Sequence, residues 1–289
     1  MKRFLKSAIQ FLIKRIIFFA PQKNMSSSLY RLRLFILVQF QKLMMQRVRM
    51  EPYQGQILKF IAPNYLADWR AQTFATKEPE TLDWIDSMPE QCVLWDVGAC
   101  VGIYSLYAAQ SKDAKVFAFE PSIFNLELLA RNISYNKLHE KICIVPIALS
   151  DKTKFNTMHM TSTDMGSAIS TFGENFGWDG EEIKHNFSFN TIGITMDDAI
   201  SYLNIPLPNF IKIDVDGLEH LILLGGEKVL AQVESVLIEV NDNFTEQAEG
   251  VSKALVKSGL TLIDKRYSMN EFSDDLDEQA NSAFNQIWK

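Results

Sequence analysis

A mostly parallel, doubly wound α/β sheet is the fold this sequence predicts, and three stretches predict it. The run VLWDVGACVGIYSLYAAQ passes from an apolar strand through a glycine turn into an amphipathic helix. A second apolar strand, Val116 to Phe119, delivers Glu120, 24 residues after Asp96. A third, Phe210 to Asp214, runs into VDGLEHLILLGG, again a strand followed by a corner and a helix. Strands that alternate with helical patterns make right-handed crossovers, and those give a parallel sheet.

From the N-terminus, residues 1–62 are expected as a basic, apolar arm and residues 63–289 as the α/β domain. The first fifty residues hold eleven Lys and Arg and no Asp or Glu, while residues 51–289 hold 18 basic and 35 acidic side chains. The net charge of −6 therefore hides +11 and −17. On a helical wheel, residues 2–19 place Phe4, Leu5, Ala8, Ile9, Leu12, Ile16 and Phe19 on one side and Arg3, Lys6, Ser7, Gln10 and Lys14 on the other. That is a basic amphipathic helix, suited to an anionic membrane surface or to packing on the domain or a second subunit. Lys6, Lys14 and Arg15 interrupt it well short of the roughly 20 apolar residues a membrane span needs. The same charges break the apolar core of a cleaved signal peptide, so the product is expected inside the cell, at the inner membrane face where the arm docks. Segment 29–50 fits both a strand and a helix period, and its type stays open.

The glycine turn reads as a nucleotide-cofactor pocket. Glycines let the chain pass close to a ligand, and a carboxylate at the end of the next strand can accept both hydroxyl protons of a ribose. A dinucleotide rests its pyrophosphate on bare amides, which favours Gly-x-Gly-x-x-Gly. Here the loop is Gly98-Ala99-Cys100-Val101-Gly102, the middle glycine is absent, and Asp96 would repel a phosphate. A cofactor with an amino-acid end, a sulfonium and no phosphate suits it better, namely S-adenosylmethionine.

Past Glu120, residues 122–136 carry apolar side chains at helical spacing, and Lys141 to Ala148 reads as a third strand ending in Leu-Ser-Asp. Ser150 and Asp151 would then stand at the ligand rim, against an adenine edge or in a plain polar turn. Residues 152–195 break the rhythm and read as an inserted hairpin or lid, whose Phe172, Phe176, Trp178, Phe187 and Phe189 either line a cleft or form a satellite core. Strand Val233 to Val240 brings Glu239 and Asn241 to the same rim. Phe284 to Trp288 pairs with Thr261 to Asp264 in a C-terminal antiparallel hairpin. Cys92, Cys100 and Cys143 read as buried reduced thiols, and the four histidines lack metal spacing.

Three acids gather at the corner after Phe210. Asp214 closes the strand and would face the cofactor's reactive end, with Lys212 on the same strand face; a buried Lys there needs an anion. Asp216 and Glu219 have the spacing of a helix capping box. The same spacing permits a divalent cation without demanding one.

In this order, DVGACVGIYS, FAFEP, IALSDK, ITMDDAI and FIKIDVDGLEHLILLGG resemble the FkbM-type methyltransferases over roughly residues 90–241 and on toward the C-terminus. The resemblance implies a Rossmann-like class I enzyme that moves a methyl group from S-adenosylmethionine to a hydroxyl, often of a sugar or a polyketide-type product. Position by position, it implies cofactor contacts at Asp96, Gly98, Gly102, Glu120, Ser150 and Asp151, and an acidic corner at Asp214, Asp216 and Glu219. Cys100 departs from the Asn usual in that loop. Asp214 is the expected general base. Two other classes stay open: a nicotinamide-dependent oxidoreductase, favoured by Glu120 but opposed by the missing glycine, and a non-catalytic module tethered by its arm. The expected acceptor is a small molecule or glycan. Nucleic acid is disfavoured because the acidic domain repels phosphate.

Overall fold

The computed structural model describes residues 27–267 and 283–289, and within them the strands ending at Val97, Phe119 and Ile213 lie in one sheet. That seven-stranded sheet has the order β12-β13-β11-β10-β3-β4-β5. Its parallel part comprises β3 (Val93–Val97), β4 (Lys115–Phe119), β5 (Ile142–Val145), β10 (Phe210–Ile213) and β11 (Ser235–Asn241). The last two strands, β12 (Leu262–Tyr267) and β13 (Ala283–Trp288), pair antiparallel as the C-terminal hairpin.

Both faces of this sheet are buried, which explains why its strands read as continuous apolar runs rather than as alternations. Successive residues feed different cores. Leu94, Val116, Ala118, Phe210 and Leu237 pack on one side with Leu82, Trp84, Leu106 and Tyr107. Trp95, Val97, Phe117, Phe119, Ile211, Ile213 and Ile238 pack on the other with Met196, Ile222, Val251 and Leu255. Each buried Val, Leu, Ile, Phe or Met among them contributes roughly 1.5–3 kcal/mol on leaving water. Trp95, wholly buried, also satisfies its indole N–H on the Pro206 carbonyl at 3.1 Å.

Two departures from the sequence reading bear on the site. The strand expected to run to Ala148 stops at Val145, before Pro146, and the chain re-enters as β6 (Ala148–Leu149) in a separate sheet. The 152–195 insertion is therefore more than a hairpin. Its β7 (Lys154–Met160), β8 (Ser170–Phe172) and β9 (Phe187–Ile194) join β6 in a four-stranded sheet of order β6-β9-β7-β8.

The chain divides into two compact units, Met1–Arg47 and Val48–Lys289, so the division falls earlier than residue 62. The reason is a hairpin of β1 (Val48–Tyr53) and β2 (Gln56–Ile61), whose Leu58 and Phe60 join the main core. In the first unit, Ser27–Met45 forms helix α1, which settles the type of that segment. It exposes Leu32, Phe35, Ile36, Phe40 and Leu43. The amphipathic helix expected at 2–19 lies outside the described residues. Among the described residues no helix is long and apolar enough to cross a membrane.

Candidate active site

Strand register builds the site. Val97, Phe119, Ile213 and Ile238 form one hydrogen-bonded row across β3, β4, β10 and β11. The next residue on each strand is Gly98, Glu120, Asp214 or Glu239, so these four stand side by side at the carboxyl rim in the order Glu239, Asp214, Gly98, Glu120. Strands lie about 4.8 Å apart, which sets Glu120 and Asp214 roughly 10 Å apart across the gap that Gly98 leaves. All four line one cavity of about 380 Å³. Such rims are where open parallel sheets hold ligands.

Gly98 is glycine for two reasons. Its φ of +82° is left-handed, and a Cβ there would lie 1.8 Å from the Asp214 carbonyl oxygen. Cys100, also at positive φ (51°), turns its N–H onto Glu120 Oε2 at 2.7 Å. Ser122 N–H donates to Glu120 Oε1 at 2.7 Å. Both bonds use backbone N–H groups, so neither depends on the Cys100 side chain. Burial pushes the Glu120 carboxyl up to about 7, further than those two N–H groups pull it down. Gly102, left-handed as well (φ +82°), begins the helix Ile103–Ser111 (α4, after Tyr65–Gln72 as α2 and Pro79–Asp86 as α3).

Asp96 does not line the main cavity. It is buried with Ser105 Oγ at 2.5 Å and borders a smaller adjoining pocket shared with Tyr104, Lys212, Asp214, Glu78 and Lys77. Burial raises its carboxyl, with Lys212 and Ser105 opposing. Gly98, Cys100, Arg70, Lys77 and Asp214 belong to both pockets, so the two open on each other around the glycine turn.

Asp214 meets the expected lysine: Lys212 Nζ donates to its Oδ2 at 2.8 Å. Lys212 is almost fully buried, lies 5.0 Å from the Tyr104 ring centroid, and stays charged because Asp214, Glu78 and Asp96 outweigh its burial. Glu78, also buried, is pulled down to about 2 by Lys77 and Lys212 against the effect of burial, and Lys77 Nζ lies 2.8 Å from its Oε1.

The other two acids of the corner do structural work. Asp216 Oδ2 accepts the N–H of Ile169 (2.7 Å) and of Ser170 (3.3 Å), which ties the insertion to the rim, and Asp216 still lines the cavity. Glu219 is wholly buried and does not line the cavity. It accepts Val215 N–H at 2.9 Å and the Gln247 amide, and burial lifts it to about 7. The expected capping box is absent: the helix after Leu218 has no side-chain cap, because Glu219 reaches back to the loop instead.

Ser150 and Asp151 also fall outside the cavity wall. Ser150 Oγ donates to Asp151 Oδ1 at 3.1 Å, and Lys154 Nζ lies 3.2 Å from the same oxygen. The preceding Ile147, Ala148 and Leu149, all apolar, line the cavity in their place.

Several lining residues carried no motif. Arg70 Nε donates to the Gly166 carbonyl at 2.6 Å; Asn125 receives Gly166 N–H at 2.9 Å and donates to the Ser167 carbonyl at 3.0 Å. With Asp216 they pin residues 166–170 over the cavity. Of the insertion's aromatics, Phe172 and Trp178 line it, while Phe176, Phe187 and Phe189 pack in a satellite core with Met158 and Leu218. Of the thiols, Cys92 is buried, Cys100 half-buried and Cys143 exposed, contrary to the uniform burial expected. Among the described residues no group of three or more His, Cys, Asp or Glu could hold a metal ion.

The hexuronic acid methyltransferase AglP of Haloferax volcanii is 24% identical over 187 residues, 65% of this chain and 72% of that protein. The AMB antimetabolite synthetase AmbE of Pseudomonas aeruginosa is 27% identical over 222 residues, 65% of this chain but only 10% of that far longer protein. Among solved structures, TYW2 of M. jannaschii in complex with AdoMet aligns with a TM-score of 0.43 and 12% identity over 83% of this chain and 84% of that one. The precorrin-6y C5,15-methyltransferase of Geobacter metallireducens aligns with 0.41 and 12% over 74% and 88%. The family profile of the methyltransferase FkbM domain matches residues 96–276, which span the glycine turn, Glu120, the insertion and the acidic corner. With well over half its length matched by that profile, this chain belongs to the FkbM methyltransferase family.

Proposed function

We propose that the protein is an S-adenosylmethionine-dependent O-methyltransferase whose acceptor is a sugar hydroxyl. The observation that carries this reading is the shared row of Glu120, Gly98 and Asp214 on one cavity. The residues fit the cofactor: Glu120 is a buried carboxylate for a ribose diol, Ile147–Leu149 and Phe119 offer an apolar slot for a base, and Gly98 leaves space where any side chain would collide. The acids Asp96 and Asp214 and the cations Arg70 and Lys77 surround the turn where a zwitterionic amino-acid end would lie. The printed name of the Haloferax relative supports a sugar acceptor.

When bound, S-adenosylmethionine supplies an electrophilic methyl group on a sulfonium, and the transfer leaves a neutral thioether. The chain itself positions the alcohol and takes its proton. Asp214 is the base: Lys212 engages Oδ2 and holds the carboxylate in place, leaving Oδ1 to accept the hydroxyl proton as the C–O bond forms. The loop pinned by Arg70, Asn125 and Asp216 keeps water from the reacting centre. Isothermal titration calorimetry with S-adenosylhomocysteine and with NAD tests the cofactor; the proposal requires the first to bind and fails if only NAD does. Transfer of a labelled methyl to an amine in place of a hydroxyl would refute the O-directed part.

The same reading places the enzyme inside the cell at an anionic membrane surface, held by the arm. The acid-free first fifty residues and the exposed apolar side chains of α1 support it. Sedimentation with anionic vesicles that weakens as salt rises is the expected result, and equal sedimentation with neutral vesicles contradicts it.

A further inference from the structure

The strand order gives the cavity two ends. The Glu120 side, toward β5, carries the ribose acid and the apolar slot. The opposite side, toward β11, carries Asp214, Glu239 and, from the insertion, Trp178. Trp178 is half-buried and set by two contacts. Asn241 Nδ2 donates to its carbonyl at 3.1 Å, and its backbone lies so close to Gly217 that a Cβ there would come within 3.1 Å of the Trp178 Cα. A tryptophan whose backbone is held at a cavity that two carboxylates also line has the chemistry of a sugar site: an indole can cover a C–H face, and carboxylates accept hydroxyl protons.

Charge narrows the class. Four acids line the main cavity, Glu120, Asp214, Asp216 and Glu239, against two cations, Arg70 and Lys77. Lys77 is already committed. Burial opposes its charge, yet Glu78 at 2.8 Å, with Asp214 and Glu239, raises it well above the ordinary lysine range. Arg70 donates its Nε to the Gly166 carbonyl, and both cations border the turn proposed for the cofactor's own carboxylate, which an acceptor carboxylate would have to displace. An acceptor carboxylate would compete with three resident carboxylates for Lys77, and an acceptor ammonium would meet the cofactor's own sulfonium.

Resting on the methyltransferase reading, we propose that Trp178, Asp214 and Glu239 form the acceptor subsite and that this subsite takes an uncharged, hydroxyl-rich ring. A neutral hexose is bound in preference to a uronic acid or an amino sugar.

The test uses the full chain saturated with S-adenosylhomocysteine and, for the hexosaminides, with sinefungin, whose ammonium supplies the positive charge that the thioether lacks. Binding of methyl hexopyranosides in gluco, galacto and manno configuration is followed by saturation-transfer NMR and calorimetry, beside the matching hexuronides and hexosaminides. At least one neutral glycoside is expected to bind, with its uronide and its amine each weaker by about tenfold or more. Trp178→Ala should weaken that binding about fivefold or more, Trp178→Phe by no more than about twofold, and Glu239→Gln about fivefold, with S-adenosylhomocysteine affinity unchanged in all three. A uronide or hexosaminide that binds as tightly as its neutral counterpart overturns the proposal. So does a protein that binds S-adenosylhomocysteine but no neutral glycoside, or one whose glycoside affinity survives Trp178→Ala. Failure to bind S-adenosylhomocysteine at all would instead remove the methyltransferase reading beneath it.

Discussion

Gly98→Ala is the sharpest probe of how the site is built. The residue sits at φ +82°, where an L side chain costs about 1–2 kcal/mol. The added Cβ would then lie 1.8 Å from the Asp214 carbonyl oxygen and 2.9 Å from its carbon, which are backbone atoms of a central strand end and cannot swing aside. Relief requires β3 and β10 to part at the rim, straining the Asp214 N–H to Val97 carbonyl bond at 3.0 Å. The total comes to about 3–5 kcal/mol. At 2–4 °C per kcal/mol for a domain of this size, Tm should fall by roughly 10 °C. Gly102→Ala is the internal control. It has the same φ, but its Cβ would meet Leu129 Cδ1 at 2.4 Å, the tip of a side chain that can shift, so its cost should be smaller by at least about 1 kcal/mol. Differential scanning calorimetry gives both values, and calorimetric titration should show S-adenosylhomocysteine affinity down by about tenfold or more in Gly98→Ala. An alanine variant that melts within about 2 °C of the parent and binds the ligand normally would refute the close-approach argument.

Four further outcomes follow from the site. Asp214→Asn should lower kcat by about 10²–10⁴ while S-adenosylhomocysteine affinity stays within roughly twofold, and an unchanged kcat would remove Asp214 as the base. Lys212→Met strips the cation from among Asp214, Glu78 and Asp96 and should cost about 3–5 kcal/mol in urea unfolding; a loss under about 1 kcal/mol would mean those acids do not depend on it. Glu120 and Glu219, both raised by burial to about 7 from 4.5, bind protons more tightly folded than unfolded. Their contribution is therefore complete below pH 4.5 and is lost as pH rises through about 7, a decline on the order of 3 kcal/mol for each group. Cofactor affinity should run the other way, since only ionised Glu120 accepts both ribose protons: S-adenosylhomocysteine should bind more tightly as pH rises through 7, and Glu120→Gln should flatten that profile.

Much of the fold was legible because the relevant signals are local. An apolar run, a glycine turn and an amphipathic helix specify a βα unit within one stretch of sequence, and the acid that ends each strand follows from register. Glu120 and Asp214 can therefore be placed on one rim before any coordinates; Asp96, expected on the same rim, lines the adjoining pocket instead. Ser150 and Asp151 show where local reading stops. Pro146 ends β5 early, the chain crosses to a second sheet, and the wall is made by Ile147–Leu149 instead. Glu219 looked like a cap because its spacing is that of a cap; its actual partner, Gln247, lies on the helix Thr245–Lys257, beyond the reach of a pattern read along one segment. Asp96 went to the adjoining pocket because Ser105, one turn into the following helix, holds it there. Arg70, Lys77 and Trp178 belong to no motif. They reach the cavity through tertiary packing of helix α2, the segment after it and the insertion; the aromatic content of residues 172–189 is the one local trace, and its side chains are divided between cleft and satellite core.

A crystal structure with S-adenosylhomocysteine bound tests the central claim most directly. The predicted result is ribose hydroxyls on Glu120, the base against Ile147–Leu149, and the sulfur facing the Asp214 carboxylate with Trp178 and Glu239 beyond it. An adenosyl group seated away from Glu120, or a sulfur turned from Asp214, would contradict the account.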